Sequence, residues 1–213
     1  MKAKGMFTRE SMQEGLAKTT NLEGPNNLAT VSANATSSSG RYIYSVPDIP
    51  WYKGCVPTAA ANIVRYWSEQ RGYNKLTQTS QGSPMFDHEI IQDLAYYMNT
   101  DSNGATTSIN AANGGKAYWK EHGYSLNVDG WSNFSNYQNE IDNYRPAIIS
   151  VWKDQTPGLN YGDHALTGIG YQILDNGQRN AIVRDSWHSK PTDVIYPYGN
   201  YVQTVQSFVP ESI

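Results

Sequence analysis

The chain of 213 residues is long enough to bury a full core, and 38% of its residues are hydrophobic. Its formal net charge of −3 at pH 7 excludes the basic surface that nucleic acid or an anionic membrane would require. No stretch approaches the roughly 18 apolar residues of a membrane span, and residues 1–20 lack the apolar core of a secretion signal. The single cysteine excludes an intramolecular disulfide.

The composition favours an exported protein. Tyrosine, tryptophan and asparagine are abundant, and 16% of the residues are charged, a balance typical of extracellular bacterial proteins. We therefore expect an extracellular or cell-surface bacterial location. Either the protein has no leader or its secretion signal lies outside this sequence, and we favour the second.

Residues 1–40 differ in composition from the rest of the chain. They are rich in Ser, Asn, Thr, Ala and Gly and have little apolar surface to bury. We predict a flexible linker or a propeptide-like segment here, with a short helix over 8–18. One folded domain is predicted over 41–213.

The domain is predicted to begin with a strand and a long helix. Residues 42–47, Tyr-Ile-Tyr-Ser-Val-Pro, predict an edge strand that ends at its proline. The next prediction is a helix over 55–70, because Pro57 falls in the first turn, where a missing N–H is tolerated, and apolar residues recur at helical spacing. These apolar residues are Ala59, Ile63, Val64 and Trp67.

The two halves of the domain differ in periodicity. Further helices are predicted over 88–98, 110–121 and 134–144. After Pro146 the segments 147–152, 164–174 and 180–187 are predicted strands. The chain therefore predicts an α+β fold, with an N-terminal helical half packed on a C-terminal antiparallel β-sheet.

The turn between the last two predicted strands determines which residues face each other. Asn176-Gly177 predicts a tight hairpin, since this pair supplies the positive φ angles that such a turn needs. A two-residue loop would place Asp185 opposite Gly168, four residues along the strand from His164. A bulge, strand coiling or a different turn must then bring Asp185 and His164 together.

Cys55 lies where a loop, Tyr-Lys-Gly, runs into the predicted helix. Unpaired backbone N–H groups and the positive end of the helix dipole favour a thiolate there, so Cys55 is the predicted nucleophile. A lone cysteine with a distant histidine, His164, and a third polar group, Asp185, is the pattern of an activated-thiol hydrolase. The alternatives are a buried structural cysteine, a half-buried structural histidine, and an Asp185 paired with Arg184 or Arg179.

Three motifs in this order resemble the papain superfamily. They are Gly54-Cys-Val-Pro-Thr-Ala-Ala at the helix start, His164-Ala-x-x-x-x-Gly-Tyr on one strand, and Asp185-Ser-Trp at the end of the next. Over roughly residues 42–213 they look like the bacterial peptidases related to those that remove double-glycine leaders from bacteriocins. The resemblance implies a papain-like arrangement, with the cysteine helix packed on the sheet that carries the histidine and the aspartate.

The resemblance also implies the roles of these residues. Cys55, His164 and Asp185 would form a triad that hydrolyses peptide bonds through a thioester acyl-enzyme. Trp187 would cover the histidine and the aspartate from solvent. Asp163 would tune the site or face water.

The oxyanion site departs from the family pattern. Papain-like enzymes usually carry a glutamine about six residues before the cysteine, and its amide helps to bind the oxyanion; here that position is Ile49. The backbone N–H of Cys55 then needs another donor, for which Tyr52, Lys53 or a nearby main-chain N–H are the candidates. Losing one such donor costs about 10² to 10³ in rate, so a catalytically weak or inactive binding module is an alternative function.

The sequence carries one weak signal for a metal ion and none for another cofactor. Asn99, Asp101 and Asn103 have the spacing of the first half of a calcium loop. The twelfth position is Asn110, where a bidentate glutamate is expected, and such runs are common in turns.

Three functions stay open at this point. The first is a cysteine peptidase or amidase that acts on a peptide or protein, and the second is an acyltransferase that uses the same triad. The third is the inactive binding module. No nucleic-acid partner is expected, and the sequence does not define the oligomeric state.

Overall fold

A computed structural model describes residues 6–7, 37–187 and 192–211 of the chain. Within them the helices are α1 Cys55–Arg71, α2 Asp87–Tyr97, α3 Ser108–Glu121 and α4 Phe134–Asp142, with a 3₁₀ turn at Asn74–Thr77. The strands are β1 Met6–Phe7, β2 Ser37–Tyr42, β3 Leu126–Trp131, β4 Ala147–Asp154, β5 Gly162–Leu174, β6 Arg179–Arg184, β7 Asp193–Pro197 and β8 Val202–Pro210. The predicted α+β division into a helical half and a sheet half is confirmed.

The strands form one antiparallel sheet in the order β1-β7-β6-β5-β4-β8-β3. The long strand β5 lies at its centre, because one of its edges pairs with β6 and the other is shared by β4 and β2. β5 carries His164, so the histidine lies on the most fully paired strand of the sheet.

Helix α1 packs against β5 and is buried along most of its length. Ala59, Ala60 and Ala61 are at most 1% exposed, and such small side chains let the helix backbone approach the sheet closely. The helix ends at Gly72, whose φ of 83° is the left-handed conformation of a glycine C-cap. The predicted helix over 55–70 is confirmed and is one residue longer.

The hairpin between β5 and β6 differs from the predicted one, and the difference brings Asp185 closer to His164. Leu174 pairs with Gln178, so the loop has three residues instead of the predicted two. The register then shifts again between Gly168 and Gly170 and ends with Thr167 opposite Arg184. Each change moves β6 by one residue, so Asp185, next in sequence, arrives near His164.

The first predicted strand is displaced. β2 covers Ser37–Tyr42, whereas the sequence predicted residues 42–47. Its serines and glycine pair with β5 through the main chain, which requires no apolar side chain. The strand therefore begins inside the segment that the sequence assigned to a linker, while the helix predicted over 8–18 lies outside the described residues.

A buried amide joins α1 to the sheet. The Asn62 side chain is fully buried; its Oδ1 accepts a hydrogen bond from the Ile49 N–H at 2.9 Å, and its Nδ2 donates to Thr167 Oγ1 at 3.0 Å. Thr167 in turn donates to the main-chain oxygen of Ala59. This small network holds α1, the segment before it and β5 in one arrangement.

We expect Asn62→Ala to lower the free energy of unfolding by about 2 to 4 kcal/mol, because it leaves the buried Ile49 N–H without an acceptor. Urea unfolding followed by circular dichroism measures the change. Asn113→Ala, at an exposed position of α3, is the matched control and should change stability by less than about 0.5 kcal/mol. Equal effects of the two substitutions would contradict the role of Asn62.

Candidate active site

A cleft of about 560 Å³ opens where the N-terminus of α1 meets the ends of β4 and β5. Four of the predicted active-site residues line it, Cys55, Asp163, His164 and Trp187, and so does Asn103 of the candidate calcium loop. The cleft is also lined by residues 103–108, which lead into α3, and by Trp51, residues 150–152 and Gln203. The structure thus brings together the cysteine and the histidine, which are 109 positions apart in the sequence.

The thiol of Cys55 is half-buried at the first residue of α1. Burial raises the pKa of this thiol, and the Asp163 carboxylate adds to the rise because it repels the thiolate. The backbone N–H groups of Ala165, Val56 and Cys55 itself oppose the rise. The helix N–H groups therefore favour the thiolate, as the sequence predicted, but burial has the larger effect on the thiol.

His164 receives its orientation from the strand end that follows β6. Its Nε2 lies 2.9 Å from the main-chain oxygen of Asp185. A carbonyl oxygen can only accept a hydrogen bond, so Nε2 is the protonated nitrogen and Nδ1 is the basic nitrogen of the neutral ring. The histidine is 6% exposed, so water cannot easily replace this contact.

The carboxylate of Asp185 has different partners. Its Oδ2 accepts a hydrogen bond from Tyr161 Oη at 2.9 Å, and its Oδ1 accepts one from the Trp187 N–H at 3.0 Å. Arg184, which the sequence offered as a partner for Asp185, forms a fully buried ion pair with Asp193 at 2.7 Å. Asp185 thus contacts His164 through its main chain and organises the neighbouring aromatic residues through its side chain.

Two aromatic rings pack on the histidine. The ring centroids of Trp187 and His164 are 4.6 Å apart, and those of Tyr161 and His164 are 5.3 Å apart with the planes nearly parallel. Trp187 is 45% exposed, so one face of its indole shields the imidazole while the other meets solvent. The role of Trp187 as a cover for the histidine and the aspartate stays a prediction.

Asp48 is a residue that the sequence analysis missed. Its buried carboxylate accepts hydrogen bonds from the Ser186 N–H at 3.2 Å and the Thr192 N–H at 2.9 Å. It therefore anchors the chain on both sides of Trp187. Burial raises its pKa from 3.8 to about 6, and the nearby Asp185 adds to this, while the two N–H donors and Arg184 oppose it.

The two side chains that the sequence offered as oxyanion donors, Tyr52 and Lys53, lie outside the cleft lining. The Tyr52 ring is exposed and packs edge-on against His88, with the centroids 6.0 Å apart. Lys53 is exposed, and neither residue is among those that line the cleft. Ile49, in place of the glutamine, is buried in the core.

The candidate calcium loop is stabilised by hydrogen bonds within the loop. Asp101 Oδ1 accepts hydrogen bonds from the N–H groups of Asn103 and Ala105, as in an ordinary Asx turn. In the described part of the chain, no cluster of three or more His, Cys, Asp or Glu side chains is arranged to hold a metal ion. Calcium binding stays a prediction that only Asn99, Asp101 and Asn103 motivate.

An α+β fold whose cysteine helix packs on a histidine-bearing antiparallel sheet is the papain-like fold. The chain belongs to the Peptidase_C39-like family, whose model matches residues 41–209. The resemblance inferred from the three motifs is confirmed, and the chain is a member of a peptidase family.

Solved structures share this fold at low sequence identity. One is the peptidase domain of Streptococcus ComA, a bi-functional ABC transporter involved in a quorum-sensing pathway: identity is 15%, the TM-score is 0.50, and the match covers 78% of this chain and 99% of that domain. Another is a Bacillus anthracis protein described as a C39-like peptidase, with 13% identity, a TM-score of 0.50, and coverage of 83% and 100%. No curated protein matches the sequence significantly. Among the helices of the described residues, none has the length and hydropathy to cross a membrane.

We expect Asp163→Asn to lower the apparent pKa of Cys55, because it removes the carboxylate that repels the thiolate while keeping an acceptor for the Lys153 N–H. The rate of iodoacetamide alkylation as a function of pH measures the shift. Since Asp163 is exposed, the shift should shrink at high salt. Asp129→Asn, an exposed carboxylate on β3, is the control and should leave the profile unchanged; an unshifted profile for Asp163→Asn would contradict the coupling.

We expect Asp48 to make stability depend on pH. Its folded pKa of about 6 exceeds the unfolded value of 3.8, so its protonated form stabilises the fold below pH 3.8, and this contribution is lost as pH rises through 6. As the pH rises from 4 to 7.5, the wild type should therefore lose up to about 3 kcal/mol of unfolding free energy relative to Asp48→Asn. Urea unfolding of both proteins at each pH cancels the other titrating groups. A difference that is independent of pH would contradict the raised pKa.

Proposed function

We propose that this protein is a cysteine peptidase or amidase in which Cys55 is the nucleophile and His164 is the general base. The observation that carries the proposal is the meeting of the two residues in one open cleft, with the imidazole fixed so that Nδ1 is its basic nitrogen. Membership of the C39-like peptidase family supports the reaction class.

The chemistry follows from these positions. His164 takes the thiol proton, and the thiolate attacks the carbonyl carbon of a peptide bond, forming a carbon–sulfur bond and an oxyanion. The imidazolium then protonates the leaving amine as the carbon–nitrogen bond breaks. Water, activated by the neutral imidazole, hydrolyses the thioester, releasing a carboxylic acid and restoring the thiol.

We assign Asp185 a positioning role. Its main-chain oxygen holds Nε2 of His164, and its carboxylate holds the Tyr161 hydroxyl and the Trp187 N–H. The triad is thus proposed in a modified form, in which the third member acts on the imidazole through its backbone. An extracellular or cell-surface location stays a prediction from composition.

The test uses two probes. N-benzyloxycarbonylglycine p-nitrophenyl ester reports acylation through release of p-nitrophenolate, and unfolded casein analysed by mass spectrometry reports peptide cleavage. We expect Cys55→Ala to abolish both activities. Asp185→Asn, which keeps the main-chain oxygen, should lower kcat by about tenfold, far less than the roughly 10⁴-fold loss reported when a triad carboxylate that binds the imidazole directly is replaced by its amide.

Three results would change the proposal. Full activity of Cys55→Ala would exclude the thiol as nucleophile, and a 10⁴-fold loss in Asp185→Asn would assign the orienting role to its carboxylate. A wild-type protein with no activity on either probe and an unreactive Cys55 would favour the binding module that the absent glutamine motivates. Transfer of the acyl group to an added amine, in place of hydrolysis, would identify an acyltransferase.

A further inference from the structure

If Cys55 is the nucleophile, the carbonyl oxygen of its substrate becomes an anion beside the N-terminus of α1. The N–H of Cys55 supplies one hydrogen bond, and the position of the family's glutamine holds the hydrocarbon side chain of Ile49, which is 4% exposed. We propose that the indole Nε1–H of Trp51 is the second oxyanion donor, an assignment that rests on the proposed function.

Trp51 is the residue between Ile49 and Cys55 whose side chain lines the cleft. Pro50 and Gly54 have no side-chain donor. Tyr52 packs against His88, and Lys53 is exposed away from the lining residues. The short segment before the nucleophile therefore contributes one side-chain donor to the lining of the cleft.

Trp51 is held at its backbone and at its ring. Its backbone N–H donates to the main-chain oxygen of Ser186 at 2.8 Å, next to the tryptophan that packs on His164. At the ring, Trp51 Cζ2 lies 3.4 Å from the point that a Cβ on Gly104 would occupy. Gly104 has a φ of +84° and also abuts Lys53 and Gly54, so only a residue without a side chain fits there comfortably. An indole N–H on a residue held in this way needs little reorganisation when negative charge develops on the substrate oxygen.

The indole N–H is also available. It can donate but not accept, and among the described residues no acceptor pairs with the Trp51 ring nitrogen. The side chain is 48% exposed and faces the open cleft. A polar hydrogen in this position must point to water in the free protein, and it can exchange that water for a substrate oxygen.

One rival donor lies in the same cleft. The Asn103 side chain has the same amide chemistry as the glutamine of the family pattern, and it adjoins Gly104. However, its exposed side chain makes no hydrogen bond within the described residues, whereas the Trp51 ring lies against Gly104. We therefore assign the role to Trp51 and use Asn103→Ala to test the rival.

The experiment compares kcat and KM for N-benzyloxycarbonylglycine p-nitrophenyl ester with the rate of Cys55 alkylation by iodoacetamide. The ester develops an oxyanion, whereas alkylation displaces iodide from a saturated carbon and develops none. We expect Trp51→Phe to lower kcat about 10² to 10³-fold with KM changed less than about threefold, and to leave the alkylation rate unchanged. The benzothienyl analogue of tryptophan at position 51, which keeps the ring shape and lacks the N–H, should give the same loss.

Controls separate this role from others. Trp131→Phe, on β3 and away from the cleft, should retain wild-type kcat. A benzothienyl variant with wild-type kcat would overturn the assignment, as would a loss of kcat in Asn103→Ala that matches the loss expected for Trp51→Phe. Activity that survives in Cys55→Ala would instead overturn the proposed function, and the assignment with it.

Discussion

The contact between α1 and the centre of β5 is the constraint on which the site depends. Small alanines bring the helix close to the sheet, and the buried amide of Asn62 joins the two through Thr167 and Ile49. A shift of the helix by one turn would break this network and leave buried polar groups without partners, which is costly in a close-packed interior. The same contact places Cys55 beside the Ala165 N–H, one residue after His164. The nucleophile and the base are therefore brought together by core packing, not by the cleft itself.

The second requirement is that β6 end next to the histidine, and this depends on local irregularity in β5. A register shift between Gly168 and Gly170 and a three-residue turn together move Asp185 toward His164. The glycines fit a crowded strand: a Cβ on Gly168 would lie 2.6 Å from the Tyr137 ring, and one on Gly170 would lie 2.7 Å from the Arg41 oxygen. The same residues that permit the close approach of neighbouring elements thus permit the shift that completes the site.

The sequence predicts the parts of this molecule that obey a simple period. α1 shows helical spacing on a buried face, and the predicted ranges of the other three helices differ from the observed ones by at most two residues. β2 escapes prediction because Ser37–Gly40 pair through their main chain, and β3 because its alternation of apolar and polar residues is short, from Leu126 to Asp129. The order of the motifs predicts that Cys55 and His164 meet in one cleft. The contact between Asp185 and His164 depends instead on a bulge that no local sequence pattern predicts. Asp48 lies in a short loop between two prolines, where nothing in the sequence distinguishes a buried anchor from a solvated turn residue.

The electrostatics of the site explain why a main-chain oxygen is a suitable partner for the histidine. The buried Arg184 forms an ion pair with Asp193 and also interacts with the Asp48 carboxylate, which in turn lies near Asp185. The pKa of Asp48 is raised to about 6, because burial and its neighbour Asp185 both disfavour its charge. The main-chain oxygen of Asp185 does not titrate, so the hydrogen bond that fixes the tautomer of His164 is present above and below the pKa of Asp48.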